Sequence, residues 1–451
     1  MSTVKIFTTN PYEISTKSFY PRNYSPSFLF VKKQLGQFPF LETMLSSPVT
    51  GGSTPSVYLF TDKDRGIPFV KTSAILRHFI NVNDLYYINE KFHNTTIKRS
   101  ITRPYDVIYS MTGKFMGKAA LCPPTIPELN MSQNSVVLRT DSPLKSAFLA
   151  IFLNSEINRI QVQGTYSITK QKFMNQGRIA KLNIIPYTKE YDPLLNDYLN
   201  SIDGYYKSIE EIKNTIIKFN EKINMTISND IYTCNIPSIK INNKMLLPNF
   251  YRQDIDELIK SMRDNAGCSF KVDSLGKGME IGSDNYTEQG IPFIKTSNVA
   301  NFGIDSEPNY YCSESYLSEY NECVQKGDII FTKDGKPGEI AIIEENDKII
   351  ISGGFAKYHP KNKDELYWIF LLLSSCYGEA CFKKWFVIAS TMTHLRKDFF
   401  EDFYIPCITA DIKNKYIIKL ENAFNAKTNY YNKLITSKEL IMDKFLNEKC
   451  T

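Results

Sequence analysis

The sequence predicts an α+β protein made of two similar mixed α/β domains, each followed by a long helix. Three observations predict it: a segment that recurs almost unchanged, further similarity in the same order after each copy, and an apolar stripe of helical period closing each half. The chain has 451 residues, more than one compact core usually holds, with 42% hydrophobic and 23% charged residues, the balance of a folded protein.

The recurrent segment reads GIPFVKTS at residues 66–73 and GIPFIKTS at residues 290–297. The likeness continues downstream of each copy. Asp106-Val-Ile-Tyr-Ser-Met-Thr-Gly-Lys aligns with Asp328-Ile-Ile-Phe-Thr-Lys-Asp-Gly-Lys, each an apolar strand running into a glycine turn. Gly164-Thr-Tyr-Ser-Ile-Thr-Lys is aligned with Ser390-Thr-Met-Thr-His-Leu-Arg, and Ile184-Ile185-Pro186 with Tyr404-Ile405-Pro406. The offsets are 224, 222, 226 and 220, so the copies are collinear with small insertions and deletions. Within each copy, Asp106–Ser110, Ser135–Leu138, Asp328–Thr332 and Lys348–Ser352 are β-rich runs bounded by turn residues. Leu144–Asn154 and Glu365–Leu373 read as buried helices, and helical patterning opens the second copy at Asp254–Arg263.

After Pro186 apolar residues fall at Leu195, Tyr198, Ile202, Tyr205, Ile209, Ile212, Ile216, Phe219 and Ile223, alternating three and four residues apart. That is a heptad seam, with Gly204 its one weak helix former, costing about 1 kcal/mol relative to Ala. After Pro406 the register Ile417, Leu420, Phe424, Tyr431, Leu434, Ile441 and Phe445 follows the same rule, interrupted by Lys427 and Lys438. A lone helix cannot satisfy such a stripe, so the two helices pack on each other or on a partner. The resulting division is residues 1–186 as a first domain, 187–227 as a first helix, 228–408 as linker and second domain, and 409–451 as a second helix.

Net charge is +6, which permits a nucleic-acid partner without demanding one. Acid-free windows mark where a polyanion can lie. No Asp or Glu stands between Glu156 and Glu190, where Arg159, Lys170, Lys172, Arg178, Lys181 and Lys189 do. Between Glu379 and Asp398 the second copy has Lys383, Lys384, His394, Arg396 and Lys397, and between Glu90 and Asp106 the first adds Lys91, Lys98, Arg99 and Arg103. Phosphate contacts need such cations with hydroxyl groups beside them, here Thr165, Tyr166 and Thr169, and Thr391 and Thr393. The near-identical Lys71-Thr72-Ser73 and Lys295-Thr296-Ser297 suit a scaffold or phosphate role. The divergent neighbours suit reading: Arg77 and His78 against Asn298 and Asn301, or Met111 and Thr112 against Lys333 and Asp334, with Lys114 and Lys336 beside them as further DNA contacts.

No catalytic constellation is legible. Asn10-Pro11-Tyr12 lacks a proline of an amine-methylating motif, Gly276-Lys-Gly278 is too short for a dinucleotide loop, and there is no P-loop. The four histidines are isolated, and Glu211-Ile-Lys213 lies on the heptad helix. Nine irregularly spaced cysteines argue against a disulfide framework and complete no zinc set, so no metal is expected. No apolar run is long enough to span a bilayer and the first residues lack a signal core, so a cytoplasmic location and no membrane partner are expected.

The chain resembles the specificity subunits of type I restriction-modification systems, on the order domain, heptad helix, domain, heptad helix over nearly its whole length. Gly51-Gly52-Ser53-Thr54-Pro55, the paired KTS segments, the Asp-(Val/Ile)-Ile…Gly-Lys strand-turns and the terminal Ile-Pro pairs carry the likeness. Copy two has Gly276-Lys-Gly-Met-Glu where copy one has Gly-Gly-Ser-Thr-Pro. The resemblance implies two target recognition domains, each reading one half of a split, asymmetric site in double-stranded DNA as part of phage defence. It also implies an antiparallel coiled-coil spacer docking two methyltransferase subunits and restriction (translocase) subunits, with no cofactor on this chain. S-adenosylmethionine and ATP would belong to those partners. From Leu195 to Ile223 such a spacer measures roughly 43 Å, about one turn of DNA. Two other readings stand beside it: a self-contained DNA-modifying methyltransferase, and a scaffold that binds proteins rather than DNA.

Overall fold

In a computed structural model of the chain, residues 24–113, 116–164, 167–168, 172–222, 252–264, 266–269, 275–287, 289–305, 308, 310–319, 324–345, 348–388, 393–395, 399 and 403–447 are described. The chain divides into two compact units, one of Ser2–Lys207 with Ala426–Thr451 and one of Ser208–Asn425. Both mix α and β structure.

In the N-terminal unit an antiparallel sheet has the strand order Thr50–Gly51, Ser135–Leu138, Val107–Ser110, Ala119–Leu121. Beside it in sequence, Gly66–Val70 lies between Tyr86–Asn89, to which it is antiparallel, and Asn130–Met131, to which it is parallel. The β-branched and small residues of the inner strands are buried, and Val70, Ile75, Ile80, Ile108, Met131 and Val137 pack into one core. Helix Pro143–Leu153 starts at Ser142, whose hydroxyl accepts from Lys145 N, with proline in its first turn. Its last eight residues are all buried, which explains an apolar run without amphipathic spacing.

The C-terminal unit has the same strand order at the matching places. Its antiparallel sheet runs Leu275–Lys277, Phe355–Tyr358, Ile329–Thr332, Ile340–Ile342. Ile291–Ile294 is antiparallel to Tyr311–Cys312 and parallel to Ile350–Ile351. Helix Lys363–Ser374 then stands where the buried helix was expected. The glycine loop that looked divided between the copies is one structure in both. A methyl group on Gly52 would overlap the Met131 and Ser132 carbonyls, and one on Gly278 the Ser352 and Ile351 carbonyls. The second glycine of each loop is therefore demanded by close backbone approach, while the residues around it are free to change.

Among the described helices of eight or more residues, Pro26–Leu35, Glu156–Gln163 and Cys376–Trp385 were not anticipated. Pro26–Leu35 is capped by Ser25 and packs on helix Glu156–Gln163, as Gln253–Asp264 packs on Cys376–Trp385 in the other unit. The Ser-Pro start was its only sequence signal.

The long helices are Asp192–Lys222 and Ala410–Asn447, and each unit holds part of both. In the N-terminal unit Tyr191 meets Phe445 at 5.0 Å, and Gly204 lies under the ring of Tyr430, so the two segments run antiparallel. The ring leaves no space for a Cβ, which accounts for the glycine inside the heptad pattern. In the C-terminal unit Phe219 packs edge-on against Tyr416, whose hydroxyl donates to Lys218 O at 3.1 Å. Leu195, Tyr198, Ile202, Tyr205, Ile209, Ile212, Ile216 and Phe219 are all buried. So are Ile417, Leu420, Phe424, Leu434, Ile441 and Phe445, with Tyr431 half-buried, while Ile223 lies outside the described residues.

Two expectations about the stripe change. Lys427, read as an interruption, is 2% exposed and sits inside the buried stripe, where a long aliphatic stem can replace an apolar residue. The stripe is also wider than a coiled-coil seam, since Ser201, Tyr206, Ser208 and Thr215 are buried too. Each helix segment lies on its own unit's core as well as on the other helix. Tyr206 Oη accepts from Ile80 N at 2.7 Å, and Ile212, Ile216 and Phe219 join the C-terminal core with Trp368 and Leu372.

Replacing Gly278 by Ala should lower the unfolding free energy of the chain by about 1–3 kcal/mol, the usual range for overpacking. Chemical denaturation measures it. The neighbouring substitution Lys277→Ala, at an exposed position, should cost less than about 0.5 kcal/mol.

Candidate nucleic-acid interface

The two KTS segments leave apolar strands and turn at once. Thr72–Ala74 and Thr296–Asn298 each form a single 3-10 turn, which lifts the lysine out of the strand. Both lysines rest on aromatic rings. Lys71 Nζ stands 3.3 Å from the centroid of Tyr86 and 5.5 Å from that of Phe60. Lys295 Nζ stands 4.2 Å from Tyr310 and 4.4 Å from Tyr286. Contacts of this kind are worth about 0.5–1 kcal/mol at partly exposed sites, and they hold each ammonium in place while leaving it half-exposed. Ser73 Oγ donates to Asp84, Ser297 is exposed, and Thr72 and Thr296 are half-buried.

A second segment meets the first. After Val107–Ser110 and Ile329–Thr332 the chain makes a glycine turn, with Gly113 at φ 65° and Gly335 at φ 82°. Met111 N donates to Asn134 O and Lys333 N to Gly354 O, both at 2.9 Å. A hairpin strand then closes on each turn. Met174 N donates to Met111 O at 3.1 Å, and Leu395 N to Lys333 O at 2.7 Å. In the C-terminal unit the three segments converge: Gly335 lies 3.7 Å from Thr296 Oγ1, measured from the position a Cβ would take, and Asp334 Oδ1 pairs with His394 Nδ1 at 2.7 Å. These bonds revise the alignment of the two halves. Thr112 bridges Phe173 and Asp334 bridges His394, so His394 answers to Phe173, five residues beyond the position that matching by residue type assigned. Phe173, 41% exposed, was missed because nothing in its local sequence marks it as a surface residue.

Several expected contacts are internal. His78 is 2% exposed, adopts φ 70°, and bonds through Nδ1 to Tyr198 Oη at 2.8 Å, so it faces the core and not a ligand. Phe302, also at positive φ, takes the same place in the C-terminal unit, where Ile342 N donates to its carbonyl as Leu121 N does to that of His78. Asn298 is buried, its side chain accepting from Lys295 N at 2.9 Å. Arg77 Nη1 donates to Asn154 O at 3.2 Å. Lys336 pairs with Glu339 at 2.6 Å, and Lys333 is half-buried.

The acid-free windows are less acid-free in space than in sequence. Arg159 is paired with Glu156, Lys383 with Glu379, and Lys384 with Asp256 at 3.0 Å. Glu128 lies 3.9 Å from Arg103 and 3.5 Å from the buried His93. Lys98 and Arg99, on the turn Lys98–Ser100, are exposed and without a partner among the described residues. Lys172 is exposed beside Phe173. The expected contacts Lys114, Thr165, Tyr166, Thr169, Lys170, Thr391, Arg396 and Lys397 lie outside the described residues, as does the side chain of Thr393.

Three of the four histidines face a carboxylate: His93, His394 and His359, the last bonded to the buried Asp328 at 2.7 Å. Arg139 takes that place in the N-terminal unit, 2.6 Å from Asp106. No group of three or more His, Cys, Asp or Glu among the described residues could hold a metal ion, and no described helix is long and apolar enough to cross a membrane.

Residues 272–440 match the family described as type I restriction modification DNA specificity domain. No curated protein matches the sequence. Among solved structures, the chain is similar to the type I restriction-modification system S subunit from M. genitalium, at 14% identity over 91% of this chain and 95% of that one, with a TM-score of 0.31. The HsdS subunit from Thermoanaerobacter tengcongensis matches at 14% identity over 90% and 95%, with a TM-score of 0.27. A structure describing assembly and conformational transition of the type I R-M system matches at 15% identity over 90% and 95%, with a TM-score of 0.28.

Burial holds His78 neutral, its pKa well below 6.5, with Lys438 and Arg77 pushing the same way. A group depressed in the fold leaves stability intact above its unfolded pKa and withdraws it as pH falls. Below pH 6.5 the unfolded chain binds a proton that the folded chain refuses, a loss of up to about 1.4 kcal/mol per pH unit. Unfolding midpoints measured from pH 7.5 to 5.5 should therefore fall, and His78→Gln should flatten the slope.

Proposed function

We propose that this chain, whose residues 272–440 match the family of type I restriction modification DNA specificity domains, is the sequence-reading subunit of a restriction-modification complex. Its two units, centred on residues 1–186 and 228–408, each read one block of a bipartite, asymmetric DNA site. The long helices form the antiparallel spacer and dock adenine methyltransferase and restriction subunits. The chain carries no catalytic site of its own, and S-adenosylmethionine and ATP bind on those partners.

The observation that carries this reading is the same strand order in both units, with a KTS turn, a glycine turn and a hairpin strand at matching places in each. A protein that reads two different short blocks needs one scaffold used twice with different side chains on it. Exposed cations at Lys98, Arg99 and Lys172 suit phosphate contacts, which position a duplex without reading it. Tethering two weak readers multiplies their selectivity through effective concentration.

Co-expressed with its adenine methyltransferase, the chain should direct methylation to a motif of two specified blocks around an unspecified gap, mapped by sequencing modified adenines. A continuous motif would remove one unit from the reading role. In equilibrium binding to a duplex carrying that motif, Lys98→Ala with Arg99→Ala should weaken affinity and lower the slope of log K against log salt by about 2. An unchanged slope would take this turn off the DNA.

A further inference from the structure

The glycine turn and its hairpin strand hold one pair of facing residues in each unit, and the two pairs differ. In the N-terminal unit the pair is Thr112 and Phe173, and in the C-terminal unit Asp334 and His394. The backbone around them is the same. The residue before each turn position donates to the strand end beyond it at 2.9 Å, through Met111 N or Lys333 N, and its carbonyl receives the amide next after the hairpin residue. Gly113 and Gly335 come next at positive φ in both. Four backbone bonds thus put two chemically unlike pairs on equivalent, partly exposed ground.

We propose that these two pairs are specificity-determining positions, at which the two units read different base edges. The inference rests on the DNA-reading function proposed above. Position and chemistry assign what each pair takes. Phe173 is 41% exposed on a strand whose neighbour Lys172 is exposed as well, so an apolar face stands beside a phosphate-seeking cation. The base feature that matches it in the major groove is the thymine methyl, with Thr112 able to add a methyl of its own. In the C-terminal unit Asp334 accepts the Nδ1 proton of His394 at 2.7 Å. In the neutral imidazole this bond leaves Nε2 of the ring, 44% exposed, as the atom that carries the lone pair. That atom accepts from an exocyclic amine, N4 of cytosine or N6 of adenine. Asp334 is a positioning residue: it sets the tautomer and the ring plane. Space for this is kept by Gly354, where a Cβ would come within 2.9 Å of Thr296 Cγ2 and 3.5 Å of Asp334 Cβ.

The test is selection of bound sequences from a pool of random duplexes by the purified full chain with its methyltransferase, repeated for three variants. The wild-type complex should enrich two blocks. His394→Phe should change the preferred base at one position of one block by roughly tenfold and leave the other block intact. Phe173→His should do the converse, in the other block. Asp334→Asn, which keeps the side-chain shape, should relax the same position as His394→Phe without moving the salt slope. If the wild type enriches two blocks and all three variants return them unchanged, the inference is wrong and the DNA-reading function stands. If the wild type enriches nothing, both fall. Uniform weakening of all sequences by His394→Phe and Asp334→Asn, in chains whose circular dichroism is native, would mean a phosphate or scaffold role and overturn the inference too. Should His394→Phe fail to fold, Asp334→Asn decides the C-terminal unit and Phe173→His the other.

Discussion

Everything else in the molecule depends on two long helices having more apolar surface than one neighbour can cover. The stripe on Asp192–Lys222 includes Tyr206, Ser208 and Thr215 besides the heptad positions, and all are buried. Within each unit a helix segment therefore has two partners, the unit's own core and the other helix. Burial of apolar area at about 25 cal/mol per Å² makes both contacts favourable, and neither alone removes the stripe from water. Tyr198, Tyr206 and Phe219 tie the helices into the cores with hydrogen bonds and ring contacts. Each helix segment is thereby part of the core of its own unit.

The same economy governs the candidate surface. Invariance between the units lies in backbone: the second glycine of the first loop, the amide that closes the glycine turn, and the hairpin strand bonded to it. Variation lies in side chains carried by that backbone. His78 and Phe302 illustrate the limit of variation: both hold a positive-φ position, His78 buried and bonded to Tyr198, Phe302 half-buried against the C-terminal core. Arg139 and His359 do the same at the buried acid that starts each central strand.

Much of this was legible in the sequence. The recurrent GIPF-KTS segments, the strand runs at 107–110, 135–138 and 329–332, and the heptad positions among the described residues stand where pattern reading puts them. Patterns of period two and period three-and-a-half report burial on one face, and burial is what these elements have in common. The helix Pro26–Leu35 escaped because ten residues with three buried positions make a weak pattern. The hairpin alignment slipped for a different reason. Matching residue types placed His394 in register with Ile168, whereas backbone bonds place it in register with Phe173, because the pairing of these strands is set by bonds to distant segments and not by residue type.

Sequence alone determined the class, the order of elements and the two-fold use of one plan, since these follow from local periodicity and from recurrence along the chain. Tertiary structure decided which cations are exposed and which are neutralised, because Glu128 and Asp256 reach their partners from distant segments. It also decided that His78 and Asn298 face inward, that Lys427 lies in the buried stripe, and that Phe173 and His394 share one position. Charge pairing and exposure are properties of distance in space. A sequence holds them only through the fold.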